Sequence, residues 1–395
     1  MKKKTVDIVF PGFINAPNGA ARFVKILRNK AGSFKEKGID LHVYTIDSYS
    51  CSNEKTFDNQ NVIKRKSKIR SFLMRLAKYS RIATWLMIYF TSIRHSKKII
   101  NDYLKNTETS DLIHFQDLFT CYYYLKHPNN QKAKVLLTLH SNGDLWSMLE
   151  EYYPLFRTKC FHSFKRKIER TVLSEVTLFN FVANKPRQFF LHKYKIDESL
   201  TSFIYNGIDN YPVIRESSTD NRIKLVCVGT LSNRKNQIGI LESLSLLPPS
   251  ICSEFSLTFV GDGPERAKLE EFSKKIQAPI YFVGNSNHVD DYLKVADVFI
   301  LYSKDEGLPI SIVEAMRASL PIISTNIAGI PEMINHGVSG FLVNVDNIEL
   351  KTVFEVLLSE RTKLKVMGEE SHKIFLNKFT LDAMINSYSN LWLEM

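Results

Sequence analysis

The feature that most constrains this chain is a regular alternation of short apolar runs and helix-like segments. In the second half, runs rich in Val, Ile, Leu and Phe recur near 223–228, 256–260, 280–283, 298–302, 321–324 and 341–343. Helical patterns lie between them, near 236–247, 264–276, 288–295, 310–318 and 331–336. This alternation predicts parallel sheets with helices on both faces.

The first half shows the same alternation in a looser form. Its predicted strands are 7–10, 41–46, 112–115, 135–139 and 178–182. A helix is expected from Ala20 to about Glu36, ended by Gly38. Since 395 residues suit two or three domains, we predict an α/β fold of two Rossmann-like, doubly wound domains, 1–205 and 206–378, facing across a cleft.

Composition and cysteine usage indicate a cytoplasmic enzyme. The chain is 44% apolar and 24% charged, which is ordinary for a globular protein. Its five cysteines are scattered without a C-x-x-C pair, which argues against a disulfide scaffold and a zinc ribbon. The N-terminal apolar run is short and contains Asp7 and Pro11, so we interpret it as a first strand and not as a signal peptide.

Two glutamates flank a predicted helix start. Glu306 precedes it, Glu314 lies about one turn inside it, and Pro309 suits the first turn of a helix. Gly307 allows a tight turn, and the free N–H groups of 310–312 would attract an anion. Two carboxylates beside an anion site suit a nucleotide sugar; the alternative is a surface acid and a first-turn Glu that favours the helix dipole.

A second cluster follows the strand predicted at 223–228. Gly229 ends that strand, and a short loop carries Arg234 and Lys235 to the next helix. Adjacent cations at a strand end can bind a diphosphate and stabilise it as a leaving group. Alternatively, they are two solvated basic residues in a loop.

Two histidines also stand near strand ends. His140 follows an apolar run and precedes a polar stretch, and His114 is a weaker case. A histidine whose hydrogen bonds are satisfied at the rim of the sheet is the default interpretation, and a hydrogen-bond donor to a sugar is the alternative. The chain contains no D-x-D, H-E-x-x-H or Cys/His metal spacing, so we expect no catalytic metal and no other cofactor.

Charge is unevenly divided. Residues 1–200 carry 35 Lys and Arg against 17 Asp and Glu, whereas 201–395 carry 18 against 24. Residues 59–101 contain eleven basic residues and no acid, and Phe72, Leu73, Leu76 and Tyr79 would share one helical face. The apolar stretch 82–93 is too short to span a bilayer.

The segment 63–101 therefore predicts a contact with an anionic membrane surface. The alternatives are a solvated helix packed on its own domain and a nucleic-acid patch. No recognised DNA- or RNA-binding module is visible, so we expect no nucleic-acid partner.

Several short motifs together resemble a known family. They are Val228-Gly-Thr-Leu, Arg234-Lys-Asn, Val260-Gly-Asp-Gly-Pro264, Glu306-Gly-Leu-Pro, Val313-Glu-Ala-Met316, Gly329-Ile-Pro-Glu332 and Gly337-Val-Ser-Gly-Phe-Leu342. The set resembles glycosyltransferase family 4, retaining enzymes of GT-B fold. The resemblance is looser in Thr138-Leu-His140 and Ile204-Tyr-Asn-Gly-Ile-Asp209.

The resemblance implies roles for the residues of the second half. Glu306 would contact hydroxyls of the donor sugar, and Glu314 would contact the ribose. Lys235 would bind the diphosphate, assisted by backbone N–H groups near Leu308 and Ile310. The family often has Arg where Thr230 stands, and Arg234 is expected to substitute for it.

It also implies roles in the first half. His140 would donate a hydrogen bond to the sugar, and Gly12 and Gly19 would let the backbone close on donor and acceptor. The family's usual Gly-Gly is here Gly19-Ala20. A last helix, about 380–393 within a segment 379–395, is expected to cross back onto the N-terminal domain.

The predicted function is a retaining, metal-independent hexosyltransferase. It would move a hexosyl unit from a nucleoside diphosphate sugar, UDP-linked by preference, to a lipid-linked glycan during synthesis of a bacterial-type capsule or O-antigen. The protein is expected to be cytoplasmic and peripherally bound to the inner face of the membrane. A GT-B sugar-nucleotide epimerase and a non-catalytic scaffold of a polysaccharide assembly complex are the alternatives.

Overall fold

The computed structural model describes residues 3–15, 19–49, 73–108, 110–130, 133–216 and 220–395. It divides into two compact units. The N-terminal unit comprises Met1–Val182, Pro186–Ile204 and Ile385–Met395. The C-terminal unit comprises Ala183–Lys185 and Tyr205–Met384.

The N-terminal unit is built on a six-stranded parallel sheet in the order β2-β1-β3-β4-β5-β6. Val6 of β1 is paired with Leu41 of β2 on one side and Leu112 of β3 on the other. Most residues of the central strands are buried and apolar, as is typical of a parallel sheet covered by helices. The strands are β1 (Lys4–Phe10), β2 (Ile39–Thr45), β3 (Leu112–Phe115), β4 (Lys134–Leu139), β5 (Leu178–Phe181) and β6 (Thr201–Phe203).

The C-terminal unit contains a second six-stranded parallel sheet, in the order β12-β11-β10-β7-β8-β9. This is the strand order of a Rossmann fold, in which the chain starts in the middle and winds outward in both directions. The strands are β7 (Ile223–Val228), β8 (Phe255–Val260), β9 (Ile280–Gly284), β10 (Val298–Leu301), β11 (Ile322–Thr325) and β12 (Gly340–Val343). The prediction of two doubly wound α/β domains is confirmed in its architecture.

Helices connect the strands in both halves. Those of the first half are Gly19–Asn29, Ala31–Glu36, Arg81–Ile88, Arg94–Asn106, Leu118–Leu125, Ser147–Tyr152, His162–Glu175 and Asn184–Tyr194. Those of the second half are Gln237–Ser245, Pro249–Cys252, Arg266–Ser273, Val289–Leu293, Ile310–Arg317, Asn347–Ser359, Leu364–Lys378 and Leu381–Glu394.

Two helix predictions were wrong. The helix expected over 20–36 is divided at Lys30, where φ is −102° and ψ is 16°, although Gly38 does end the second piece with φ of +83°. The helix expected over 331–336 is only a 3₁₀ turn, Ile330–Glu332. There Ser339 accepts a hydrogen bond from the Asn335 N–H (2.9 Å), and Gly337 has φ of +76°, so the chain turns toward β12 instead of continuing a helix.

The basic segment is described only from Leu73 onward, so Phe72 and the cluster 63–72 lie outside the described residues. Residues 73–76 form a helical turn, but 77–79 do not continue it. Ser80 caps a new helix, Arg81–Ile88, by accepting a hydrogen bond from the Ala83 N–H (3.3 Å). The single helical face expected to reach Tyr79 was therefore wrong, because the helical turn ends at residue 76 and a separate helix begins at Arg81.

Candidate functional site

The candidate site of the C-terminal unit lies where two neighbouring loops leave its sheet. β7 and β10 are adjacent and parallel, and the sheet grows from them in opposite directions. Loops at the carboxyl ends of such a strand pair diverge and leave a crevice, which is where doubly wound folds bind ligands. One loop, 229–236, carries Arg234 and Lys235; the other, 302–309, carries Glu306.

The side chain of Gln237 holds the first loop in shape. Its Oε1 accepts a hydrogen bond from the Ser232 N–H (3.2 Å), and its Nε2 donates to the Thr230 carbonyl (3.0 Å). Asn236 follows in the left-handed region with φ of +51° and starts the helix Gln237–Ser245. The loop thus folds back on itself and brings Lys235 inward, where its side chain is only 11% exposed.

Glu306 forms ion pairs with both cations of the first loop. Its Oε1 lies 2.6 Å from Lys235 Nζ, and its Oε2 lies 3.3 Å from Arg234 NH1. Arg234 also donates to the Asp305 carbonyl (2.7 Å), and the Lys304 N–H donates to the Arg234 carbonyl (2.8 Å). The two loops therefore form one polar cluster, which we call the Lys235–Glu306 cluster.

The cluster keeps Glu306 charged. Burial by itself would raise the pKa of this carboxyl, but the charges of Lys235 and Arg234 outweigh burial and hold it below its ordinary value. Glu306 is 6% exposed, and a buried carboxylate persists only with such partners. At neutral pH the cluster therefore contains one anion and two cations, an excess of positive charge.

The helix Ile310–Arg317 begins beside this cluster. Pro309 stands one position before the helix, at its N-cap, and not within its first turn. The Ile312 N–H donates to the Pro309 carbonyl (3.1 Å), so the prediction that this N–H is free was wrong. The N–H groups of Ile310 and Ser311 precede the first α-helical bond and suit an anion.

The remaining residues predicted for this site are buried around the same helix start. Gly307, Leu308 and Glu314 are all buried, and the Gly307 carbonyl accepts a hydrogen bond from the Gly329 N–H (3.0 Å). Gly229, at the end of β7, has φ of +151°, a region that favours glycine. The individual roles assigned to these residues stay predictions.

The N-terminal unit places His140 directly after β4 and Gln116 directly after the neighbouring strand β3. His140 Nε2 lies 2.8 Å from Gln116 Oε1, and the imidazole edge packs on Phe23 with ring centroids 5.2 Å apart. Burial lowers the pKa of His140 to about 4, so the ring is neutral at pH 7.

His114 does not lie at the rim of the sheet. It lies within β3 and is fully buried, and its Nε2 is 2.7 Å from Thr138 Oγ1. Burial and the neighbouring His140 lower its pKa to about 3. The interpretation of His114 as a residue at the rim of the sheet was wrong, because β3 continues past it to Phe115.

The two glycines predicted near the first loop differ in what the structure requires of them. A Cβ at Gly12 would lie 2.5 Å from the ring of Phe10, so a side chain there needs that ring to move. A Cβ at Gly19 would meet no heavy atom within 4 Å. Space alone therefore gives a reason for glycine at position 12 but not at position 19.

Metal-ligand clusters and membrane-spanning helices are both absent from the residues that the structure describes. No group of three or more His, Cys, Asp or Glu side chains there is arranged to hold a metal ion. No helix there is both long enough and apolar enough to cross a membrane.

Two polar residues near these sites, Gln237 and Gln116, were not among the site residues predicted from the sequence. Gln237 ends the motif that contains Lys235, but nothing local indicates that its side chain closes the loop. Gln116 follows the rule already used for His140, since it is the first residue after a buried strand. The predicted strand 112–115 ends at the same residue as β3, so this rule would have identified Gln116 without any change of the predicted bounds.

Two family models match most of the chain. The model described as Glycosyltransferase Family 4 matches residues 17–210, and the model described as Glycosyl transferases group 1 matches residues 213–374. Together they account for both units and include the Lys235–Glu306 cluster and His140.

Curated relatives match over parts of their length. The UDP-Gal:alpha-D-GlcNAc-diphosphoundecaprenol alpha-1,3-galactosyltransferase of Escherichia coli is 23% identical over 258 residues, which is 60% of this chain and 67% of that protein. N-acetyl-alpha-D-glucosaminyl L-malate synthase of Bacillus anthracis is 29% identical over 142 residues, 35% of this chain and 37% of that protein. These matches thus span about a third to two thirds of the relatives.

Solved structures match over nearly the whole chain. Anabaena HepE, in complex with UDP and glucose, has a TM-score of 0.67 at 16% identity and covers 98% of this chain and 99% of its own. Sucrose-phosphate synthase from Thermosynechococcus elongatus has a TM-score of 0.74 at 15% identity, with 99% of both chains covered. Identities this low show a shared fold, and together with the two family models they identify the chain as a member of glycosyltransferase family 4 with the GT-B fold.

Proposed function

We propose that this protein is a retaining glycosyltransferase that uses a nucleoside diphosphate sugar, UDP-linked by preference, as hexosyl donor. The observation that carries the proposal is the Lys235–Glu306 cluster at the diverging ends of β7 and β10. Its two cations and the adjacent helix start suit a diphosphate, and its carboxylate suits sugar hydroxyls. UDP in the Anabaena HepE structure supports the same class of donor.

The cluster suggests how the donor would react. The diphosphate would attract Lys235 and Arg234, which would free Glu306 to accept hydrogen bonds from the sugar. The bond between the anomeric carbon and the phosphate oxygen breaks, and the electron pair leaves with the diphosphate. The acceptor oxygen bonds to the same face, and its proton passes to the departing phosphate oxygen, so configuration is retained.

We propose that the departing charge needs no metal ion or other cofactor. Lys235, Arg234 and the N-terminus of the helix Ile310–Arg317 would supply positive charge where the leaving group develops its negative charge. Glu314 would hold the ribose hydroxyls from the same helix.

A thermal-shift screen tests the donor site. Purified protein would be heated with UDP-, GDP-, dTDP- or ADP-sugars, each with and without EDTA. We expect one nucleotide class to raise the melting temperature equally in both conditions. Stabilisation that EDTA removes would contradict the metal-free mechanism, and no stabilisation by any donor would contradict the donor site.

Glu306→Ala separates binding from folding. The variant should lose transfer activity and retain a cooperative unfolding transition, because the hydrogen bonds between Arg234 and the backbone of residues 304 and 305 still join the two loops. Wild-type activity in this variant would refute the proposed role of Glu306. Conversion of the donor to an isomer without any acceptor would favour the epimerase, and an intact fold without donor binding would favour the scaffold.

We propose a lipid-linked glycan as the acceptor, in bacterial surface polysaccharide synthesis. The name of the E. coli galactosyltransferase specifies a diphosphoundecaprenol acceptor, and another E. coli relative is named O-antigen biosynthesis glycosyltransferase WclY. The B. anthracis relative is named for L-malate, a small soluble acceptor. Assays with a short polyprenyl-diphosphate sugar and with L-malate would distinguish the two acceptor classes.

The basic surface supports a membrane-bound acceptor. Residues 73–101 contain six Lys and Arg and no acid. One face of the helix Arg81–Ile88 packs into the N-terminal core, whereas Ile82 on the other face is 74% exposed and the preceding Tyr79 is 86% exposed. Exposed apolar side chains among cations suit the surface of an anionic bilayer, so we propose peripheral attachment to the cytoplasmic face of the membrane.

A further inference from the structure

Gln116 and His140 form a hydrogen-bonded pair at adjacent strand ends. Gln116 is 4% exposed, and its Oε1 is the atom that faces His140 Nε2 at 2.8 Å. The edge contact with Phe23 fixes the plane of the imidazole ring. The pair is therefore held from two sides, by an amide and by an aromatic ring.

The identity of the facing atoms fixes the proton on the ring. An amide oxygen accepts hydrogen bonds and cannot donate them, so Nε2 must carry the proton of the neutral imidazole. Nδ1 then has a lone pair and acts as an acceptor. His140 is only partly buried, so a ligand can approach the ring.

The amide nitrogen of Gln116 gives a second, independent observation. Among the described residues this buried Nε2 has no hydrogen-bond partner. An unpaired buried donor destabilises the fold, so each such group in a native structure calls for an explanation, such as a ligand or water that pairs with it. The pair thus leaves a donor and an acceptor unused, and a sugar hydroxyl is able to satisfy either of them.

We infer that Gln116 is a positioning residue that fixes His140 in the Nε2–H tautomer, so that His140 Nδ1 accepts a hydrogen bond from a substrate hydroxyl. This inference rests on the proposed function and changes one part of it, since His140 was expected to donate to the sugar. The neutral ring selects a hydroxyl group as its partner and would not attract the diphosphate.

The tautomer is measured directly by nitrogen-15 NMR of the protein labelled at histidine, with the His140 signals assigned from the His140→Phe variant. We expect an unprotonated Nδ1 in the wild type at pH 7. A protonated Nδ1 would overturn the inference. This readout needs no substrate, so it stands even if the protein transfers no sugar, and a wild type without activity would count against the proposed function alone.

The Gln116→Glu variant tests the consequence for catalysis. A carboxylate beside Nε2 should raise the pKa of His140 by about 1–3 units, because it stabilises the imidazolium. Nδ1 then becomes a donor as the pH falls. We expect transfer activity, normalised to the wild type, to be about tenfold lower at pH 5.5 than at pH 8, with the loss in KM for the hydroxyl-bearing substrate.

Other titrating groups near the pair determine the pH dependence of the wild type, against which the variant is compared. His114 remains neutral in this pH range, because burial lowers its pKa to about 3. Burial raises the pKa of Asp117, which caps the helix Leu118–Leu125, to about 6, so the wild type is measured in parallel. Gln188→Glu, an equal charge change at an exposed position, is the control; a pH-independent loss in Gln116→Glu would show a merely structural role.

Discussion

Glu306 is held between two cations that a bound diphosphate would also attract. In the free protein the cluster is stable because the buried carboxylate has Lys235 at 2.6 Å and Arg234 at 3.3 Å. Replacing one cation leaves a charge that burial disfavours. The same residues that would bind the donor therefore also determine the pH dependence of stability.

Lys235→Met should destabilise the C-terminal unit by about 2–3 kcal/mol at pH 7, somewhat less than the roughly 3–5 kcal/mol for breaking a buried pair, because Arg234 remains. In the wild type the depressed pKa of Glu306, caused by the two cations, contributes stability above the ordinary pKa of a glutamate, and that contribution is lost as pH falls through the depressed value. Without Lys235 the pKa of Glu306 rises, because burial is then less opposed.

The stability difference between wild type and Lys235→Met should therefore shrink as the pH is lowered from 7 to 4. Urea unfolding at both pH values measures it. Lys304→Met is the control: Lys304 is exposed, its ammonium donates a hydrogen bond to the neutral Asn233 side chain (3.2 Å), and its replacement should cost little at either pH. An equal cost at pH 4 and pH 7 would contradict the assigned pairing.

The ends of β7 and β8 approach each other more closely than side chains allow. The Gly229 N–H donates to the Val260 carbonyl (2.9 Å), and Gly261 follows with φ of +145°. A Cβ at Gly261 would overlap the carbonyl of Gly229. The glycines thus bring the loop that contains Lys235 against the neighbouring strand end.

Gly261→Ala should lower the free energy of unfolding by about 3 kcal/mol, because it combines overlap with a backbone conformation that disfavours alanine. It should also weaken donor binding, since the Lys235 loop must shift. Gly32→Ala is the matched control: a Cβ there meets no heavy atom within 4 Å, so the helix Ala31–Glu36 should gain up to about 1 kcal/mol. Thermal unfolding and donor titration of both variants measure these effects. Equal stability of the two variants would contradict the close packing assigned to Gly261.

Tertiary packing in the N-terminal unit depends on the last eleven residues of the chain. Tyr388 and Trp392 are fully buried there. The Tyr388 hydroxyl accepts a hydrogen bond from Asn180 Nδ2 (3.0 Å), and the Trp392 ring contacts Phe34 with centroids 4.9 Å apart. A unit whose first strand begins at Lys4 thus has part of its core supplied by a helix near residue 390.

Trp392→Ala should destabilise the N-terminal unit by about 3–5 kcal/mol, because it leaves a large cavity against β3. Hydrogen exchange measures the effect by region: peptides from β3 and β4 should lose protection, while those from β10 and β11 keep theirs. Leu393→Ala, on the same helix but 47% exposed, is the control. Uniform loss of protection across both units would contradict this assignment.

Binding to anionic liposomes should depend on where positive charge lies and not only on its amount. Changing Arg75, Lys78 and Arg81 to Gln should weaken flotation with phosphatidylglycerol vesicles by up to about a hundredfold, since each basic residue near a membrane contributes about 1 kcal/mol. The same change at the exposed Arg28, Lys35 and Lys37 is the control. Equal losses of binding in both triple variants, or no binding by the wild type, would refute the proposal that the basic surface binds the membrane.

Much of this molecule could be predicted from local patterns. Most strands of the C-terminal sheet begin and end within one residue of the predicted limits, because buried parallel strands are continuous apolar runs. Lys235 and Glu306 were found because they follow two such runs. β6 was missed because it has only three residues and its last, Phe203, is 37% exposed, which leaves little apolar signal.

The sequence alone therefore determined most of the elements, their parallel arrangement and most of the candidate residues at strand ends, because hydrophobic periodicity and glycine positions are local properties. Only the tertiary structure decided which strand ends are neighbours. Arg234 and Asp305, 71 residues apart, meet because β7 and β10 pair side by side. Gln116 meets His140 for the same reason, as β3 pairs with β4. Strand order results from the burial of whole sheets under helices. This packing involves segments far apart in the sequence, so no single segment predicts it.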